Sequence, residues 1–164
     1  LSMSCGRVPM NIERRLLELG LELPEVATPI GSYVPVQIWG NIAFTSGQTA
    51  FINGERRYLG KVGKDVSVEE ATLSARDACL NCLASLKKEL GTLDLVDRVI
   101  KVVGYVNSAP GFTQQPQVIN GASDLLVELW GEYGRHARSA IGVAELPVNS
   151  SVELEIIVGI KEIA

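Results

Sequence analysis

Apolar positions along this chain recur with two periods, close to 3.6 and to 2 residues, in alternating blocks. Ile12, Leu16 and Leu19 recur at helical spacing behind Asn11, which can cap a short helix that Gly20 stops. Leu23 to Ser32 carries Pro24 and Pro29 and reads as a surface linker. The segments Tyr33 to Trp39 and Asn41 to Ser46 are β-rich, with a hairpin turn signal at Gly40-Asn41 between them. Asn53-Gly54 is a second such signal, between Thr49 to Ile52 and Arg56 to Leu59.

Ser67-Val68-Glu69-Glu70 has the spacing of a capping box, in which hydroxyl and carboxylate each satisfy a backbone N–H of the first turn. A long helix is predicted from there to Leu90, with Ala71, Ala75, Ala78, Cys79, Cys82 and Leu86 inward and Gly91 as its stop. Arg98 to Val106 is predicted as a strand with Ile100, Val102 and Val103 as core positions, and Pro110-Gly111 breaks it. A second helix is predicted over Gln117 to Trp130, then strands over Arg138 to Ala144 and Val152 to Ile160. The order implies an α+β fold: one sheet with two helices packed on one face.

The two-residue period sorts the last strands into faces. Val152, Leu154, Ile156 and Val158 share one face and Glu153 and Glu155 the other. Ser139, Ile141 and Val143 share one face of the preceding strand, and Arg138, Ala140 and Gly142 the other. The reading places Arg138, the small residues and the two acids together on the face that the helices leave open. If Pro147 to Asn149 were a hairpin turn, Arg138 would pair near Val158, about five residues or ~17 Å from Glu153. Either the connection is no simple turn, or another strand or subunit completes a site holding both.

The chemistry concentrates near the C-terminus, in Arg138-Ser139-Ala140-Ile141-Gly142-Val143-Ala144-Glu145-Leu146-Pro147 and Val152-Glu153-Leu154-Glu155-Ile156. A planar guanidinium among small residues can grip a small carboxylate with two parallel donors. This block resembles the C-terminal signature of the RidA/YjgF family, the reactive-intermediate deaminases also called endoribonuclease L-PSP-like. Gly31-Ser32-Tyr33-Val34, Phe44-Thr45-Ser46-Gly47-Gln48 and Val118-Ile119-Asn120 fall in the order of that family's other motifs. The resemblance runs from about Thr28 to Ile160.

The resemblance implies a chorismate-mutase-like fold, a homotrimer that buries the open sheet face, and a cleft at each subunit boundary. It implies hydrolysis of 2-imino acids and their enamines to 2-keto acids and ammonia, with no metal and no cofactor. Arg138 would hold the substrate carboxylate and Glu153 would orient and activate water. Tyr33 could bond the imine region or close the cleft, and Ser46 could serve the ligand beside Gly47, whose freedom would turn backbone N–H groups toward it. Asn120 could bond substrate from a neighbouring subunit or cap the second helix, and Ala140 would line the pocket. The sequence departs from the family pattern at His136, commonly Pro, and at Ala140, often Cys. It also adds an N-terminal helix and residues around Glu55 to Asp65, which mark a longer subgroup.

Composition narrows the alternatives. The net charge of -4 supplies no basic footprint for phosphate neutralisation, so no nucleic-acid partner is expected. No apolar run is long enough to span a membrane. Residues 1–10 read as a tail or tag remnant, 11–164 as a single domain, and the location as cytoplasmic or an organelle matrix. Cys79 and Cys82 share a face in mid-helix, where packing is a better account than redox or zinc chemistry. A small-metabolite sensor that binds keto acids through Arg138 is the alternative to a deaminase, and an endoribonuclease stands behind both.

Overall fold

The computed structural model describes residues 11–162. A five-stranded sheet runs in the order β1 (Val36–Trp39), β2 (Ile42–Thr45), β7 (Val152–Ile160), β5 (Val96–Asn107) and β6 (Ala137–Val143). Within this sheet the β5–β6 pair is parallel and the others are antiparallel. The hairpin β3 (Phe51–Ile52) and β4 (Glu55–Arg56) stands apart from the sheet. Two helices, α2 (Val68–Leu90) and α3 (Gln115–Trp130), cover one sheet face. The tail expected over residues 1–10 lies outside the described residues.

The capping box at Ser67 is made in both directions, and Gly91 ends α2 with a φ of 86°. The six inward positions predicted for α2 are all buried. Cys82 donates to the Leu154 carbonyl and receives the Thr45 hydroxyl. Burial pushes both thiols up, Cys82 to about 12, so each packs as a small apolar side chain. Helix α1 (Ile12–Glu18) is capped by Asn11 as predicted. It is fastened by Asp94, whose carboxylate accepts from the N–H groups of Ile12 and Glu13.

Two expectations are corrected and one open alternative is decided. In β5 the register against β7 slips between Val99 and Lys101, so Ile100 is an extra residue on the strand. Val99 and Val102 therefore turn inward, while Ile100 and Val103 leave the core. Of the two alternatives left open for the β6–β7 connection, the structure shows that it is no simple turn, because β5 lies between the two strands. The second correction concerns the faces. Arg138 pairs with Val102 and Ala140 with Gly104, both buried under the helices. Arg138, Ala140 and Gly142 therefore lie on the α3 side, and Ser139, Ile141 and Val143 lie on the open face with Glu153 and Glu155.

Packing explains the small residues of β6. A Cβ at Gly142 would stand 2.8 Å from Gln115 Nε2 and 2.9 Å from Ser108 Oγ. Smallness at this position admits the first turn of α3 to the sheet edge.

Candidate functional site

The candidate residues fall into two groups on opposite faces of the sheet. The first is built by β6 and α3. Arg138 Nη1 donates to Asn120 Oδ1 at 2.7 Å and to Ser123 Oγ at 3.2 Å. Asn120 and Ser123 are three residues apart on α3, hence on one helix face, and both point at the strand. Because α3 begins at Gln115, Asn120 lies inside the helix and does not cap it. Both bonds use Nη1, which keeps the other donors of the guanidinium fork for a ligand. Ala140 lies two residues along the same face, partly buried. Behind Arg138 is a cleft of about 240 Å³ lined by Ser123, Asp124, Val127, Arg135 and His136.

The second group is built by β7 and the turn after β2. Gln48 bridges Leu154 through two backbone hydrogen bonds of 2.8 Å, which brings Gly47 beside Glu153. A Cβ at Gly47 would stand 2.9 Å from Glu153 Cδ and 3.0 Å from Oε2. Gly47 thus serves close approach of a carboxylate. Ser46 donates its hydroxyl to the Val34 carbonyl at 2.6 Å, and its N–H to the Pro35 carbonyl at 2.8 Å. These bonds hold the segment bearing Tyr33 against this turn. The Tyr33 ring packs over Gly31 and is half exposed.

Glu153 is half-buried, and its acidity is weakened first by burial and then by the Glu155 charge two residues on. Tyr105, which pairs with Glu153 across β5, donates its hydroxyl to Glu155 Oε1 at 2.8 Å. That bond, with burial and the two acids, pushes the Tyr105 phenol up to about 12. Glu155 is therefore occupied by Tyr105, whereas Glu153 faces Gly47.

Arg138 and Glu153 do not meet. The β5 residue Val102 pairs with Arg138, and Tyr105, three positions along, pairs with Glu153. Two strand spacings and three residues of rise separate the two backbones by about 14 Å. Their side chains also leave opposite faces. The structure brings Asn120 and Ala140 to Arg138, and Ser46 and Tyr33 to the side of Glu153.

Sequence reading missed Ser123 and Tyr105. The signal for Ser123 was a second polar residue at i+3 from Asn120 on a helix otherwise packed through Val118, Ile119, Ala122 and Leu125. Tyr105 had only its parity on β5 to reveal it, and the bulge at Ile100 obscured that parity. A larger cleft of about 710 Å³, lined by Ile38, Leu90, Leu95 and Ile160 among others, includes none of the candidate residues.

The family model "YjgF/chorismate mutase-like, putative endoribonuclease" matches residues 13–159. Protein TCP17 of Trypanosoma cruzi is 40% identical over 157 residues, covering 95% of this chain and 96% of that one. The crystal structure of protein Atu1372 from Agrobacterium tumefaciens is 47% identical, covers 91% of each chain and superposes with a TM-score of 0.83. That of a "putative endoribonuclease" from Shewanella oneidensis MR-1 is 37% identical, with a TM-score of 0.88 over 91% of this chain and 99% of that one. A match of this extent, together with the sheet order and the helices on one face, places the chain in the YjgF/RidA family, and it belongs to that family.

Proposed function

We propose that this protein is a metal-independent hydrolytic deaminase of 2-imino acids and their enamines, releasing 2-keto acid and ammonia. The observation that carries the reading is the anchored guanidinium of Arg138, held by Asn120 and Ser123 through one nitrogen. Such a fork takes a planar carboxylate in one orientation. The imine conjugated to that carboxylate is already electrophilic, so it needs a placed water and a proton acceptor. Glu153, with its acidity weakened by burial, is the base for that water. Tyr33 and Ser46 belong to the Glu153 side of the substrate, Asn120 and Ala140 to the Arg138 side.

One substrate cannot touch Arg138 and Glu153 of the same chain across about 14 Å and a sheet. The reading therefore requires a second copy of the chain, and we propose a homotrimer with the site at each subunit boundary. The uncovered sheet face supports this, since Trp39 (83% exposed), Ile141 (46%) and Phe44 (40%) lie open on it. Light scattering tests it: a stable monomer at micromolar concentration overturns both the trimer and the shared site.

The alternative is a keto-acid sensor, which would use Arg138 without needing Glu153. RNA cleavage, the activity in the name of the family model, is disfavoured by the net charge of -4 and by the one histidine in the sequence. The deciding experiment is a coupled assay in which an amino-acid oxidase generates imines and semicarbazide traps what remains. Imine removal should accelerate with added protein; an unchanged trapping rate, with keto-acid binding intact, would establish the sensor.

A further inference from the structure

Behind Arg138 stands a file of hydrogen bonds that has one polarity while His136 is neutral. Arg138 Nη1 donates to Ser123 Oγ at 3.2 Å. Ser123 Oγ lies 2.9 Å from His136 Nε2, and His136 Nδ1 lies 2.6 Å from the Gly134 carbonyl oxygen. A carbonyl only accepts, so Nδ1 carries the proton. In neutral imidazole Nε2 is then an acceptor and takes the hydroxyl proton of Ser123. The Ser123 oxygen is left with its lone pairs toward Arg138. Each link sets the direction of the next, ending at a backbone carbonyl that cannot rotate.

Building on the deaminase reading, we infer that Ser123 and His136 are positioning residues that fix the plane of the Arg138 guanidinium for the substrate carboxylate. Arg138 sits on an edge strand, where a long side chain has many rotamers to lose on binding. Asn120 alone would fix one point of the fork. A second acceptor on the same nitrogen, itself oriented by His136, fixes its plane as well. Asp124 and Arg135 line the same small cleft. Burial, and next to it the Arg138 charge, keep His136 below the ordinary imidazole range despite its bond to Gly134. The neutral form that the relay requires is therefore the form present at neutral pH.

The sequence contains one histidine, so its ring nitrogens can be read without assignment in protein lacking a histidine tag. ¹⁵N spectra at pH 8 should show the Nδ1–H tautomer, with the Nε2 signal moving in Ser123→Ala. An Nε2–H tautomer overturns the relay whatever the substrate. In kinetics, Ser123→Ala should raise KM and the keto-acid Kd by about tenfold, the scale of one hydrogen bond to a charged donor, with kcat nearly kept. Ser123→Thr, which retains the hydroxyl, should restore both. An unchanged KM in Ser123→Ala, with the unsubstituted protein active, overturns the positioning role and leaves the deaminase reading standing. Should Ser123→Ala fail to fold, the tautomer of the unsubstituted protein still decides. If the unsubstituted protein shows the Nδ1–H tautomer but neither binds keto acid nor consumes imine, the relay stands and the reading of the substrate falls.

Discussion

The two halves of the candidate site are built on opposite principles. Around Arg138 every polar partner is already in place: Asn120 and Ser123 accept from one nitrogen, and His136 stands behind Ser123. Around Glu153 the surroundings are steric and like-charged: the carboxylate lies against Gly47, and Glu155, bonded to Tyr105, adds its charge. The first half is preorganised to bind a charge. The second keeps a carboxylate poorly solvated and hence basic. Binding and proton transfer, the roles proposed for the two halves, ask for different environments, and the two faces of the sheet differ in that way.

The largest expected effect separates the halves directly. Glu153→Gln keeps shape but removes the base, so imine turnover should fall by roughly 10²–10⁴ while keto-acid affinity by calorimetry is unchanged. Equal loss of both would make Glu153 structural; loss of neither would favour the sensor. Arg138→Lys keeps the charge but loses the two-pronged grip, a change of roughly 1.5–3 kcal/mol in carboxylate binding. Near-normal turnover and affinity in that variant would remove carboxylate clamping by this residue.

Mixing the Glu153 and Arg138 variants tests whether the halves meet between copies. If each site takes Arg138 from one copy and Glu153 from the next, random reassembly after unfolding should restore about a quarter of the wild-type sites. No recovery in mixed trimers would show that the halves do not share a substrate. Gly47→Ala is the finer probe. A Cβ at 2.9 Å from Glu153 Cδ displaces a flexible carboxylate and no backbone. Its stability cost should be no more than about 1 kcal/mol, whereas a misplaced base should slow turnover roughly tenfold or more. Urea melts and rates on the same sample distinguish the two.

The smallest effect is on pH dependence. Burial, and then Glu155, weaken the acidity of Glu153 and so raise its pKa, and a base works only when deprotonated. The acid limb of kcat/KM should therefore lie above the ordinary glutamate range, with activity lost as pH falls through it. Glu155→Gln removes the like charge and should move that limb to lower pH. A limb that stays in place would mean that burial alone sets it.

Much of the fold was legible in the sequence because its signals were local. The capping box at Ser67, the stop at Gly91, and the turns at Gly40-Asn41 and Asn53-Gly54 act within a few residues. The alternation of Val152, Leu154, Ile156 and Val158 reported its own face correctly. Arg138 and Glu153 stood out through the resemblance of their block to the family's C-terminal signature; locally each would pass for a surface charge.

What the chain alone could not decide was non-local. Period-2 alternation sorts the residues of one strand into two faces but carries no label for which face the helices cover. For β6 that label came from its parallel pairing with β5, through Val102↔Arg138 and Gly104↔Ala140. The slip at Ile100 depends on β7 as partner, and no property of Ile100 itself announces it. By itself the sequence determined the elements and the apolar face of β7, and it singled out Arg138 and Glu153 as candidates. Only the tertiary structure decided that β5 separates β6 from β7 and that Arg138 and Glu153 leave opposite faces, because strand order and register are set by pairing between distant segments.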